Sequence, residues 1–241
     1  MASEPLALVT GAAHRLGKAF ATVLARAGYA VAVHYWTSGD QAETTSRELT
    51  DLGAPAYLLK ADLTDPAAIS AMFLEIDKLP HAVRVLVNSA GVLRTGDPRN
   101  LTVQDWDDTL DLNLRAPFLC AQKAAARMAS GSLIVNVTDV GARKSWSRFP
   151  AYSASKAGLE ALTGVLARAY APGIRVNAIA PGLVLRSEET SEAEWHRLVG
   201  RVPLKRAGMS EEIAEALEFL LTNEYVTGQT LVVDGGYSLL G

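Results

Sequence analysis

The stretch Leu6-Ala7-Leu8-Val9-Thr10-Gly11-Ala12-Ala13-His14-Arg15-Leu16-Gly17 decides the fold. Its first four residues, apolar without polar alternation, read as a strand buried on both faces. The turn then leads straight into a segment whose apolar residues, Leu16, Phe20, Val23, Leu24 and Ala27, step by three and four, the period of an amphipathic helix. A strand passing through a glycine turn into a helix is where a dinucleotide fold holds a pyrophosphate. Glycine lets the backbone approach the phosphates, and the helix N-terminus offers free N–H groups and a partial positive charge. A tight turn alone also needs glycine. It is the place on the first strand of a strand–helix–strand unit that favours Gly11, Leu16 and Gly17 as cofactor contacts.

The pattern repeats outward. Ala30–Tyr35, Ala56–Lys60, Val83–Asn88, Leu133–Thr138, Ile174–Ala180 and Leu231–Asp234 read as further buried strands. Between them, Ile69, Met72, Phe73, Ile76 and Leu79 mark a helix opened by the cap Thr64-Asp65-Pro66. Gly28 and Gly53 stand at expected helix C-termini. The alternation predicts an α/β fold: a single doubly wound Rossmann domain over residues 1–241, with about seven parallel strands and helices on both faces. No linker or repeat divides it. The one long irregular stretch, Gly182 to about Pro203, predicts a substrate flap at about 183–205.

Composition narrows the chemistry. Half of the 241 residues are hydrophobic (49%), enough for a core, and 23 basic against 26 acidic residues give −3 with no basic run for nucleic acid or a membrane surface. One cysteine, Cys120, excludes a disulfide framework, and His14, His34, His81 and His196 lack metal-ligand spacing, so no metal is expected. The N-terminus carries no secretory signal pattern, and no apolar run approaches the ~18 residues of a membrane span. The expectation is a cytoplasmic enzyme acting on a small molecule.

Cofactor type is read at the second strand, which ends His34-Tyr35-Trp36-Thr37-Ser38 without the Asp or Glu that grips a ribose 2′-hydroxyl. Arg15, His34 and Ser38 instead offer groups for a 2′-phosphate, which favours NADP over NAD. Asp62, after the third strand, is either an acceptor for the adenine amino group or an ordinary cap. Asn88-Ser89-Ala90-Gly91 puts small residues where a cofactor would cross the sheet edge. Tyr152 and Lys156, four apart in Ala151-Tyr152-Ser153-Ala154-Ser155-Lys156, fall on one helix face. A free tyrosine titrates near pH ~10. An ammonium beside it favours the phenolate and makes Tyr152 a usable acid toward a carbonyl or imine.

Taken together, Thr10–Gly17, Asp62, Asn88–Gly91, Asn113, Tyr152/Lys156, Pro181-Gly182 and Val233-Asp234-Gly235-Gly236 resemble the short-chain dehydrogenase/reductase family, from Leu6 to the C-terminus. The resemblance implies NADPH as cofactor, with contacts from Tyr35, Leu63, Ala90, Pro181, Gly182 and Val184 besides those above. It makes Tyr152 the proton donor, has Lys156 bind the nicotinamide ribose and lower the tyrosine pKa, and gives Asn113 a water in the proton relay. It also implies a homotetramer. Two departures stand out. Asp139 occupies the place of the family's serine, thirteen residues before the tyrosine, and Arg15 that of a middle glycine. Both resemble the pteridine reductase subgroup, as do His34-Tyr35 and the tail Val233–Leu239. Thr138 beside Asp139 points to the other face of its strand. That subgroup stacks the pterin on an aromatic residue after the fourth strand, where this chain has Leu93; Trp146, Phe149 or Trp195 are the alternatives. A carbonyl reductase such as a β-ketoacyl-acyl-carrier-protein reductase, with Arg94, Arg99, Arg143, Lys144 and Arg148 facing the carrier, is the second reading. An NADP(H)-binding regulator without turnover is the third.

Overall fold

The computed structural model describes residues 4–187 and 190–240. Its strands are β1 (Leu6–Thr10), β2 (Ala30–Tyr35), β3 (Ala56–Lys60), β4 (Val83–Asn88), β5 (Ser132–Val137), β6 (Ile174–Pro181) and β7 (Thr230–Val233). They form one parallel sheet in the order β3-β2-β1-β4-β5-β6-β7. The helices are α1 (Arg15–Arg26), α2 (Gly39–Asp51), α3 (Pro66–Ile76), α4 (Val103–Leu110), α5 (Ala116–Ala125), α6 (Pro150–Tyr170), α7 (Glu192–Arg201) and α8 (Ser210–Thr222).

The unbroken apolar strands are explained by two cores, one per sheet face. Ala7, Val9, Val31, Val33, Val85 and Val87 meet Phe20 and Leu24 of α1 and Leu217 and Leu220 of α8. Leu6, Leu8, Ala30, Ala32 and Leu86 meet Phe73 of α3, Cys120 of α5 and Leu166 of α6. The expected signals do their work: Asp65 accepts from Ala67 N with Pro66 in the first turn of α3, and Gly28 and Gly53 take φ +85° and +88° after α1 and α2. The order reverses between β1 and β4. A ligand crevice opens at such a switch point beyond the C-terminal strand ends, and the Gly11–Gly17 turn lies there.

One expectation needs correction. The stretch read as irregular contains α7, started by Ser191, whose hydroxyl accepts from Glu194 N at 3.2 Å. Residues 188 and 189 of the expected flap lie outside the described residues. No described helix is long and apolar enough to cross a membrane.

Candidate active site

The glycine turn is built so that two positions tolerate no side chain. Gly11 has φ +66°, and a Cβ there would stand 2.9 Å from Ala90 Cα. At Gly17 a Cβ would meet Gly11 O at 2.1 Å. Arg15 opens α1 with φ +56°, left-handed backbone that costs a non-glycine residue of order 1 kcal/mol. Its side chain is exposed on the rim of the turn, while Leu16 packs partly against the core.

His34 enters the site differently from the sequence reading. Its Nδ1 accepts from Gly11 N at 3.0 Å, and its Nε2 lies 3.1 Å from Ala61 O and donates to it. Both nitrogens are therefore spent on backbone, and burial holds the imidazole at a pKa of about 4. His34 is a neutral brace for Gly11 and does not charge a phosphate. Ser38, at the N-cap of α2, makes no side-chain cap bond. Lys60, which sequence reading passed over, pairs in register with Tyr35 and places its ammonium 5.5 Å from the Trp36 ring centroid. The signal for it was only a lysine at a strand end. Arg15, Ser38 and Lys60 thus supply polar groups around the C-terminal ends of β1, β2 and β3.

At the other expected contacts, Asp62 accepts from Thr64 N and Thr64 Oγ1, shaping the turn after β3. Leu63 is buried in the core. The Asn88 side chain faces inward, donating to Pro117 O and Asn136 Oδ1, so it braces the strand end and offers a ligand no side-chain donor. Gly91 borders the reactive cluster: a Cβ would stand 3.2 Å from Asn113 Oδ1 and 3.5 Å from Lys156 Nζ. Beyond β6, Gly182 N donates to Val233 O, and a Cβ on Gly182 would strike Asp234 at 2.6 Å, closing Pro181-Gly182 tightly over the last strand. Val184 packs on the core.

The cluster itself joins three elements. Asp139 ends the segment after β5, and Tyr152 and Lys156 lie one turn apart on α6. The tyrosine hydroxyl donates to Asp139 Oδ2 at 2.9 Å, and Gly141 N donates to Asp139 Oδ1 at 2.6 Å. Lys156 Nζ donates to Val137 O at 2.8 Å. Asn113 sits in a π-turn, Asp111–Arg115, between α4 and α5, a wide turn frequent at functional sites. Its amide is fully used, accepting from Val92 N and donating to Val92 O and Ser155 Oγ, so a water relay at this residue would use its main chain. Thr138 is buried and its hydroxyl donates to Ile179 O of β6.

The electrostatics revise one expectation. Burial pushes the Tyr152 phenol well above its ordinary value, and the Asp139 carboxylate adds to that. Lys156 does not reverse it: burial lowers the ammonium to about 8, with Asp139 opposing. Asp139 is pushed up to about 6 by burial, against the pull of Gly141 N–H, the Tyr152 hydroxyl and Lys156. Tyr152 is thus held as a neutral acid with its proton toward a carboxylate.

Of the aromatic residues expected at a substrate, Trp146 and Phe149 meet edge to face, ring centroids 5.9 Å apart, in the segment between Asp139 and Tyr152. Leu93 is half exposed, and Trp195 lies on α7, partly buried. The rim basics are engaged within the chain: Arg94 pairs with Asp108, Arg99 with Asp97, Arg143 with Glu160 and Arg148 with Glu194, while Lys144 donates to Leu240 O.

Known proteins are similar to this chain over nearly its whole length. A family model described as Enoyl-(Acyl carrier protein) reductase matches residues 11–238. Uncharacterized oxidoreductase YgfF of Escherichia coli is 37% identical over 244 residues, covering 96% of this chain and 99% of the relative. 3-Oxoacyl-[acyl-carrier-protein] reductase FabG of Staphylococcus aureus is 37% identical over 238 residues, covering 95% and 96%. Among solved structures, FolM alternative dihydrofolate reductase 1 from Brucella canis complexed with NADP superposes with a TM-score of 0.93 at 32% identity, covering 100% of this chain and 96% of that one. A short-chain dehydrogenase/reductase from Serratia marcescens reaches 0.91 at 32%, covering 98% and 99%.

Proposed function

Because this chain belongs to the short-chain dehydrogenase/reductase family, we propose that it is an NADPH-dependent, pteridine-reductase-like enzyme that reduces a C=N bond of a dihydropterin or dihydrofolate. The contact between Tyr152 Oη and Asp139 Oδ2, 2.9 Å, carries this reading.

The chain's own residues fit the cofactor. The turn from Gly11 to Gly17 packs too closely on its own backbone for a side chain at either glycine and leads into the N-terminus of α1, where N–H groups and the helix dipole suit a phosphate. Arg15 holds a left-handed conformation at its lip. NADPH, when bound, supplies the hydride. The proton comes from Tyr152, whose raised pKa keeps it protonated until a substrate atom competes for it. Asp139 decides which atom that is. A serine hydroxyl donates to a carbonyl oxygen, whereas a carboxylate only accepts and opposes a negative oxygen. With two unit charges ~4 Å apart worth ~4 kcal/mol at a near-surface dielectric of ~20, the carboxylate favours a ring nitrogen gaining a proton over an alkoxide.

The carbonyl-reductase reading draws on the 37% identity to FabG. Against it stand Asp139 and the engagement of every proposed carrier-facing cation within the chain. A regulator without turnover would have no need of the assembled Tyr152–Asp139 pair. NADPH oxidation measured with dihydrobiopterin, dihydrofolate and an acetoacetyl thioester separates the three. Turnover of the pterins is expected, turnover of the thioester alone would overturn the pterin reading, and tight NADPH binding without turnover would favour the regulator. Arg15→Ala is expected to raise the KM for NADPH about tenfold, a loss of ~1.4 kcal/mol, and to leave the KM for NADH unchanged. An equal effect on both cofactors would remove Arg15 from the 2′-phosphate.

The same reading places the enzyme in the cytoplasm as a homotetramer. Val103 and Trp106 of α4, Phe118 of α5 and Val165 of α6 are exposed apolar residues on the helices flanking Asn113 and Tyr152, and sedimentation would read the assembly.

A further inference from the structure

We infer that Trp146 is a positioning residue: its indole, seated on Gly141, forms the wall that keeps water from Asp139 and holds that carboxyl in line with Tyr152. The inference rests on the proton-relay role proposed for Asp139 and assigns the group that sets it.

The geometry is direct. A Cβ on Gly141 would meet Trp146 Cζ3 at 2.5 Å and Cε3 at 2.8 Å, and Asp139 Oδ1 at 2.9 Å. The Cε3–Cζ3 edge of the indole's six-membered ring therefore closes on the one residue whose N–H fixes Asp139 Oδ1. Glycine at 141 is what lets the ring approach, since any side chain would fill the space between indole and carboxylate. The wall is itself braced. Trp146 packs on a small separate core of Val140, Val202 and Tyr237, and Phe149 meets it edge to face. Val202 follows α7 and Tyr237 lies in the C-terminal turn, so the ring is held from the flap and the tail together.

The groups facing the Asp139 carboxyl are few. From α6 come Tyr152, which donates to Oδ2, and Lys156; from its own turn comes Gly141 N–H; from the C-terminal turn Tyr237 acts at longer range. Each of the first three lowers the carboxyl's pKa, yet its value stands at about 6, so exclusion of water outweighs them. An apolar indole beside the carboxyl supplies that exclusion without adding a hydrogen bond.

The test is the titration of Asp139 in the cofactor-free protein, followed by carbon NMR of labelled aspartate side chains and assigned with Asp139→Asn. In the native chain a midpoint near 6 is expected. Trp146→Ala is expected to move it by more than one pH unit toward the ordinary value of ~4, and Trp146→Phe to restore most of the shift. Trp146→Leu, which thins the wall while keeping the small core of Val140, Val202 and Tyr237 covered, is expected to move the midpoint part of the way and serves if Trp146→Ala fails to fold. An unchanged midpoint in Trp146→Ala or Trp146→Leu would overturn the inference. This readout is separate from turnover: a midpoint that moves while pterin reduction does not would keep the wall and remove Asp139 from the reaction.

Discussion

Tyr152→Phe is expected to lower kcat for pterin reduction by about a hundred- to ten-thousand-fold, the range a positioned general acid contributes, with the NADPH dissociation constant changed by less than about threefold. The split follows from where the hydroxyl goes. Its proton points to Asp139 Oδ2, and the hydroxyl makes no hydrogen bond to the turn from Gly11 to Gly17 proposed to hold the phosphates. The ring carbons remain in place on α6, so the fold around Lys156 and its bond to Val137 O is kept. What changes is the carboxylate. Tyr152's hydrogen bond lowers the pKa of Asp139, so its removal should move the Asp139 titration upward from about 6. Stopped-flow measurement of hydride transfer with cofactor titration by fluorescence checks both halves. Turnover within threefold of the native enzyme would refute Tyr152 as the acid.

The central strands were legible because they are buried on both faces, and the edge strand Ala56–Lys60, partly exposed, was legible from its place in the alternation of strand and helix. Leu6–Thr10, Ala30–Tyr35, Ala56–Lys60 and Val83–Asn88 stand in the structure as read, short apolar runs bounded by turns. The α7 helix was hidden because it buries no residue completely, and its signals, Ser191 as cap with Glu192 and Glu194 in the first turn, are polar ones that also suit a loop. Tyr152 and Lys156 were legible by spacing, since residues four apart on a helix share a face, whereas Asp139 was legible only through the family resemblance, as the residue in the place of its serine. The role of His34 was not legible. A histidine at a strand end offers a charge to the reader of a sequence, and only the pairing with Gly11 N and Ala61 O shows that both nitrogens are occupied and neutral. The raised pKa of Tyr152 escaped for a similar reason: a lysine four residues away says nothing about how much water remains or that Asp139 lies nearer the hydroxyl.

Asp139 separates function from stability, and its replacement should move the two in opposite directions. Asp139→Asn is expected to cut pterin turnover about a hundredfold, because an amide cannot balance a proton on the ring nitrogen. Asp139→Ser should do the same while increasing turnover of the acetoacetyl thioester, since a hydroxyl can donate to the carbonyl oxygen. Stability should rise in Asp139→Asn, and the sign depends on pH. The carboxyl's folded pKa, about 6, lies above the ordinary value of 3.8, so the fold favours the protonated form. The stability this gives is complete below about pH 4 and is lost as the pH climbs through about 6. At ~1.36 kcal/mol per pKa unit the loss at pH 8 reaches at most ~3 kcal/mol. Asparagine keeps the shape and never ionises. Its thermal midpoint should therefore lie above that of the native chain at pH 8 and coincide with it at pH 4. Lys156, whose pKa burial lowers to about 8 against the pull of Asp139, loses that support in the variant, and this offsets part of the gain at pH 8. A variant that is less stable at pH 8, or equally displaced at both pH values, would show that the carboxylate is held for packing; one that reduces dihydrobiopterin at the native rate would show that the proton reaches the substrate without it.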